Sequence, residues 1–193
     1  MKIVFIRHSE PDYSLVHAKK FKGHGMDLAS LTEKGIELAE KVSSDKRFDG
    51  ADLILSSPYT RALQTAAIIS KNRRLDIKVE LDLHEWIPDL TYQFSSEEYA
   101  FKAFKTFVAN KGLCPPGCDI KYESHQEVFK RAKNALIKYT QYSKIIVVAH
   151  GVLISCFTPA HIIDIPYCGI VEIDFDESQT CAEFVVDISE FDE

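Results

Sequence analysis

The sequence predicts an α/β fold with a mainly parallel sheet covered by helices on both faces. Three short apolar runs of strand character lie at residues 2–7, 52–56 and 144–149. Segments with helical periodicity separate these runs, which is typical of parallel strands joined by crossover helices. Two further strands, at 169–175 and 180–187, are separated by four polar residues and predict a hairpin. This hairpin makes at least one strand antiparallel.

The other elements follow from local signals, taken in chain order. Residues 9–30 lack periodicity and contain Pro and Gly, so they predict a long loop. Thr32 has a side-chain oxygen suited to capping and predicts a helix directly after it. Pro58 favours the first turn of the next helix, which should end near Lys71. The remaining predicted elements are a strand at 77–80 and helices at 96–110, 124–142 and 152–157.

The length of 193 residues suits a single domain with a well-buried core. We therefore expect residues 1–193 to form one domain. Residues 86–123 are irregular and rich in aromatic side chains, and we expect them to form a substrate cap inserted in that domain. The aromatic residues would form either the core of this cap or a binding surface.

Composition excludes several classes of protein. The net charge is −6, whereas a general nucleic-acid binder needs a basic surface. The sequence has neither a secretory signal pattern nor an apolar run near the ~20 residues of a membrane span. Five widely spaced cysteines favour reduced thiols in a cytoplasmic protein, although the close pair Cys114 and Cys118 leaves open a local redox or metal role. We expect a monomer or a weak homodimer.

The three apolar runs end in residues suited to binding an anion. Arg7 and His8 end the first, Arg61 follows the second after a short segment, and His150 follows the third. Arginine can hold a phosphate with two hydrogen bonds, and histidine can act as nucleophile, base or metal ligand. For a phosphate monoester, one imidazole could attack phosphorus, a second could stabilise charge, and a carboxylic acid would protonate the leaving oxygen. Spacing alone does not say which histidine attacks or which acid helps.

Several separated motifs, in this order, resemble the histidine phosphatase superfamily, also called the phosphoglycerate mutase-like family. They are Arg7-His8, Leu31-Thr32-x-x-Gly35, Ser57-Pro58-x-x-Arg61-Ala62-x-Gln64-Thr65-Ala66 and His150-Gly151.

This resemblance implies a three-layer α/β/α sandwich with one antiparallel strand. It implies that His8 is the phosphorylated nucleophile and that Arg7, Arg61 and His150 form the phosphate pocket. Leu83-His84-Glu85 is similar to the family's Leu-x-Glu segment, which makes Glu85 the proposed general acid and later base. No metal or other cofactor is implied.

The chain departs from the family's commonest first motif, Arg-His-Gly-Glu-Thr, because Ser9 follows His8 and Pro11 follows Glu10. Ser14 stands where the family often has an asparagine that contacts the phosphate. His24, between two glycines of the loop after the nucleophile, and Gly151, which follows His150, are further candidate substrate contacts.

These observations predict a phosphatase that hydrolyses a small phosphate monoester through a phosphohistidine on His8. A phosphoglycerate-type mutase is the enzymatic alternative, although the family's mutases generally carry longer insertions than this compact chain. A catalytically silent binding or regulatory module of the same fold is a second alternative. A metal hydrolase using His8, His150 and Glu85 is a third. The candidate substrates are sugar phosphates, nucleotide-derived phosphates and phosphoproteins.

Overall fold

A computed structural model describes residues 1–92, 96–159 and 165–185. Its elements, in chain order, are β1 (Lys2–Arg7), β2 (Pro11–Asp12), α1 (Ser14–Ala18), β3 (Ser30–Leu31), α2 (Glu33–Val42), β4 (Leu53–Ser56), α3 (Thr60–Arg73), β5 (Ile77–Val79), α4 (Glu97–Ala109), α5 (His125–Ile137), β6 (Lys144–Ala149), α6 (Gly151–Ser155) and β7 (Ile170–Asp174). Short 3-10 helices lie at Gly23–Leu28, Lys46–Phe48 and Leu81–Leu83.

The central sheet has the strand order β5-β4-β6-β1-β7. Its first four strands run parallel, and β7 pairs antiparallel with β1 at the edge. The register between β1 and β6 runs from Lys2 opposite Lys144 to Arg7 opposite Ala149. The predicted mainly parallel sheet with an antiparallel strand is therefore confirmed.

Alternate side chains of β1 enter two separate cores, because neighbouring residues of a strand point to opposite faces. Ile3 and Phe5 pack in the core that contains the apolar faces of α4 and α5. Val4 and Ile6 pack in the other, with residues of α2 and α3. All four side chains are fully buried. The sheet therefore lies between two helical layers, as the three-layer α/β/α prediction requires.

Capping residues set the starts of three helices where the sequence predicts them. The Thr32 side chain accepts the Gly35 N–H at 2.8 Å, and Ser96 caps α4 in the same way. Ser124 and Glu127 form a capping box at the start of α5. The helix predicted from Pro58 to near Lys71 instead begins at Thr60, so Pro58 precedes it.

The structure corrects three predicted segments. Residues 9–30 contain β2, α1 and a 3-10 helix, elements too short to show periodicity. Helix α5 ends at Ile137, because turn-type hydrogen bonds such as Tyr139 N to Leu136 O replace the α-helical pattern.

The predicted hairpin is wrong as well. Residues 180–185 form no strand, while 186 and 187 lie outside the described residues. Ala182 N donates to Cys156 O at 2.8 Å, and the Phe184 ring lies 5.0 Å from that of Phe107. This segment thus packs over the helical layer, where Phe184 gains contacts that pairing with the edge strand would not provide.

Among the described residues, no helix has both the length and the apolar character needed to cross a membrane.

Candidate active site

The strand order brings the predicted site residues to one edge of the sheet. Strands β4, β6 and β1 are neighbours and parallel, so their carboxyl ends meet. His8 N donates to Ala149 O at 2.9 Å, and Ser57 N donates to Val148 O at 3.0 Å. His8 and His150 therefore emerge side by side, with ring centroids 5.1 Å apart. Ligands of open α/β sheets bind at this edge.

The His8 ring is held in the tautomer that a nucleophile requires. Its Nδ1–H donates to Ser9 O at 2.7 Å, so the free lone pair of the neutral ring is on Nε2. Nε2 accepts from Arg61 Nε at 3.3 Å. Burial, followed by the charge of Arg61, lowers the pKa of His8 to about 3. The ring is consequently neutral at neutral pH, and its Nε2 can attack an electrophile.

Hydrogen bonds fix the backbone that follows His8. Ser9 N donates to Thr65 Oγ1 at 3.0 Å, and Ser9 Oγ donates to Gly35 O at 2.6 Å. A Cβ atom on Gly35 would lie 2.4 Å from Glu10 O, so only glycine permits this close approach. The second and third motifs thus position the loop that follows His8.

Two arginines lie beside the histidines. Arg61 is buried, and its Nη1 lies 3.2 Å from Asp27 Oδ1. Arg7 donates from Nη1 to Ile165 O at 2.6 Å, and its guanidinium carbon lies 4.7 Å from the Tyr167 ring centroid. Among the described residues, the buried Arg7 Nε has no hydrogen-bond partner. An unpaired buried donor beside a second arginine favours an anionic ligand here.

His150 is fully buried and is held by Ser57. Tyr59 N donates to Ser57 Oγ at 3.3 Å, and Ser57 Oγ lies 2.7 Å from His150 Nε2. If the Ser57 hydroxyl donates to Nε2, the His150 proton resides on Nδ1, which has no partner among the described residues. Burial, then the Arg61 charge, places the His150 pKa well below its ordinary value, so the ring is a neutral donor.

Glu85 is the carboxyl group that the resemblance proposes as acid. Its Oε1 accepts from Trp86 N at 2.8 Å. Burial raises the pKa of Glu85, while the Trp86 hydrogen bond and the charges of Arg61 and Arg7 oppose that rise. The charges of both arginines therefore act on the carboxyl group, and its raised pKa suits a proton donor.

The three candidate substrate contacts differ in position. Ser14 is exposed at the start of α1, and its N–H donates to Asp12 Oδ1 at 2.8 Å. His24 Nδ1 lies 3.0 Å from Asp27 Oδ2, so it reaches Arg61 through that carboxylate. Gly151 is buried at the first turn of α6. Their contact with substrate is still a prediction.

Sequence reasoning missed three residues of the site. Asp27 forms an ion pair with Arg61, as a phosphoryl oxygen would, but no sequence motif or spacing points to Asp27. Tyr59 lies under the Arg61 guanidinium, 4.9 Å from its carbon, and contacts the His150 ring at 5.2 Å. Ser57 lies within a quoted motif, yet only the structure reveals its contact with His150.

A pocket of about 340 Å³ lies beside Tyr59, the residue that contacts both Arg61 and His150. Its described lining is aromatic, imidazole or aliphatic except for one carboxylate, and it includes no lysine or arginine. The lining residues are His24, Tyr59, Leu81, Asp82, His84, Ile87 and Tyr92.

Comparisons with known proteins show which proteins this chain resembles. The curated protein named "Probable phosphoglycerate mutase GpmB", from Proteus mirabilis, is 24% identical over 92% of this chain and 86% of its own length. The solved structure of mycobacterial glucosyl-3-phosphoglycerate phosphatase has a TM-score of 0.64 at 18% identity, covering 93% of this chain and 95% of that one. The α-ribazole phosphatase from Shigella flexneri has a TM-score of 0.63 at 20% identity, covering 95% and 96%.

The model of the histidine phosphatase superfamily (branch 1) matches residues 3–187, which is nearly the whole chain. The match spans every strand of the central sheet except the first residue of β1, and it includes all of the arginine and histidine positions described above. This chain belongs to the histidine phosphatase superfamily.

Proposed function

We propose that this protein hydrolyses a phosphate monoester through a covalent phosphohistidine on His8. Membership of the superfamily supports a phosphoric monoester hydrolase. The observation that carries the mechanism is the state of His8, which is neutral, with its Nδ1 proton held by Ser9 O and its Nε2 next to Arg61.

The phosphoryl group of the substrate binds between Arg7, Arg61 and His150. Arg61 exchanges its contact with Asp27 for a phosphoryl oxygen, and Arg7 Nε gains the acceptor that it lacks among the described residues. His150 Nδ1–H donates to another oxygen. These donors are fixed before the reaction begins, so they stabilise the charge of the transition state without reorganisation.

In the first step, His8 Nε2 attacks phosphorus and the bond to the leaving oxygen breaks. Positive charge develops on the ring, and the Ser9 carbonyl that accepts Nδ1–H stabilises it. Glu85 gives its proton to the leaving alkoxide. In the second step, Glu85 takes a proton from water, the water oxygen attacks phosphorus, and the bond to Nε2 breaks to release phosphate.

The neighbouring pocket favours hydrolysis over mutase chemistry. A phosphoglycerate brings a second anionic group, which needs cationic partners, whereas the described lining has a carboxylate and no lysine or arginine. We therefore propose a small substrate whose leaving group is neutral and partly apolar. Segment 86–123 contributes Ile87 and Tyr92 to this lining, in keeping with a cap within a single domain.

We also propose a cytoplasmic location, because none of the five cysteines is paired in a disulfide. We also propose a monomer or a weak homodimer. Neither nucleic acid nor a membrane is proposed as a partner.

The test is hydrolysis of an aryl phosphate by reduced protein in EDTA, comparing wild type with His8→Ala. His17→Ala is the matched control, since His17 is exposed and pairs with Glu97 on the surface. We expect turnover by the wild type and the control, and none by His8→Ala. Turnover by His8→Ala at the wild-type rate would overturn the proposed nucleophile. Phosphoryl transfer to an added phosphoglycerate, without release of phosphate, would favour a mutase.

A further inference from the structure

Three side chains with no role in the proposed reaction meet at the end of α6 opposite His150. They are His125, Cys156 and Cys181, and one donor atom from each lies within 4.8 Å of the other two. His125 and Cys156 are buried, whereas Cys181 is half-buried. Wide separation along the chain hides this cluster from sequence analysis.

Backbone contacts fix the position of each member. His125 is the first residue of α5, and its N–H donates to Gly112 O at 2.8 Å. Cys156 directly follows α6, and its carbonyl accepts from Ala182 N at 2.8 Å, which places the adjacent Cys181 against it. Three separate parts of the chain thus converge on one point.

The His125 ring has the orientation of a metal ligand. Its Nε2 lies 3.5 Å from Ser155 Oγ, and Ser155 Oγ donates to Val152 O at 2.8 Å. With the ring proton on Nε2 and directed to Ser155, the Nδ1 lone pair faces Cys181 Sγ at 3.4 Å. A metal-binding histidine commonly donates from its other nitrogen to an outer partner in this manner.

The distance between one sulfur and the imidazole nitrogen also suits a tetrahedral ion. Bonds of about 2.3 Å to sulfur and about 2.0 Å to nitrogen, at tetrahedral angles, put a sulfur and a nitrogen ligand about 3.5 Å apart and two sulfur ligands about 3.8 Å apart. The observed separation of 3.4 Å between Cys181 Sγ and His125 Nδ1 agrees with the first of these values. Two sulfurs and one imidazole form a soft donor set, which selects Zn²⁺ over Mg²⁺ or Ca²⁺.

We propose that His125, Cys156 and Cys181 form a Zn²⁺ site, with water as the fourth ligand. Both thiols lose their protons on binding, and the two thiolates balance the charge of the ion. The ion joins the segment after β7 to α5 and to the end of α6. His150 precedes α6 and Cys156 follows it, so the ion lies at the end of this helix opposite the active site. The site therefore stabilises the fold and takes no part in the chemistry.

The experiment is a titration of full-length, fully reduced and chelator-treated protein with Co²⁺. We expect one equivalent to bind with the charge-transfer absorption of a cobalt–thiolate bond, and Zn²⁺ to abolish that absorption. Cys181→Ser and His125→Gln should each remove or strongly weaken it. Cys114→Ser combined with Cys118→Ser is the matched control and should leave it unchanged.

Absence of thiolate absorption in the reduced wild type would overturn the proposal, as would absorption that survives Cys181→Ser. Thermal unfolding gives a second readout: Zn²⁺ should raise the midpoint of the wild type but not that of Cys181→Ser. An equal rise in both proteins would contradict the site. Neither readout uses turnover, so the outcome is independent of the proposed phosphatase activity.

Discussion

The Asp27 carboxylate lies 3.2 Å from Nη1 of Arg61, the arginine whose Nε contacts His8, the proposed nucleophile. A second contact, to His24 Nδ1 at 3.0 Å, holds this carboxylate in place. In the proposed reaction, a phosphoryl oxygen of the substrate takes the place of Asp27 at Arg61. The ion pair keeps the buried guanidinium paired, at the cost of competition with phosphate.

The first prediction concerns this competition. In Asp27→Asn the anionic competitor is lost, so the dissociation constant of inorganic phosphate should fall by roughly threefold to tenfold. This change corresponds to a gain in binding free energy on the order of 1 kcal/mol. Calorimetric titration with phosphate measures it. Asp49→Asn, which breaks a surface pair with Arg73, is the control and should bind like the wild type. Weaker phosphate binding by Asp27→Asn would show that Asp27 supports the anion site.

The second prediction assigns the proton donor. Glu85→Gln should reduce hydrolysis of an alkyl phosphate by about 10²- to 10⁴-fold, because an alkoxide leaves poorly without a proton. Hydrolysis of a nitrophenyl phosphate should fall much less, since its leaving group is already stable. The ratio of the two rates is the measurement. Equal losses of rate on both substrates would show that Glu85 is not the acid. The control is Glu80→Gln, which alters the surface pair with Lys138.

The third prediction makes Ser57 a positioning residue. Ser57→Ala removes the partner of His150 Nε2, so the His150 proton should divide between the two ring nitrogens. We expect vanadate affinity and kcat to fall by about tenfold. Nitrogen NMR of the imidazole reports the tautomer directly. The control is Ser56→Ala, because Ser56, at the end of β4, is as fully buried as Ser57. An unchanged His150 spectrum in Ser57→Ala would refute the role.

The fourth prediction concerns stability and pH. His8 has a pKa of about 3 in the fold against an ordinary 6.5, so the unfolded chain binds more protons between these values. The free energy of unfolding should therefore fall as the pH decreases from about 6.5 towards 3. Denaturant unfolding at several pH values should show a shallower decline for His8→Asn. A slope as steep as that of the wild type would mean that other groups dominate.

The strand ends were predictable because apolar runs and the polar residues after them are continuous in sequence. Arg7 ends β1, His8 and His150 directly follow β1 and β6, and parallel pairing alone brings them together. Asp27 was not predictable, since its contact with Arg61 depends on the path of residues 9–30. The strand predicted at 180–187 is absent over 180–185, where Phe184 instead packs on Phe107.

The central claim is that His8 carries the phosphoryl group, and trapping the intermediate tests it most directly. Rapid acid-free quenching during turnover, followed by peptide mass spectrometry and phosphorus NMR, locates any phosphorylated residue. We expect one phosphoryl group per chain on His8 Nε2, which appears before phosphate is released and is absent in His8→Ala. A phosphoryl group on another residue, or steady turnover without any phosphorylated enzyme under conditions that make its breakdown rate-limiting, would contradict it.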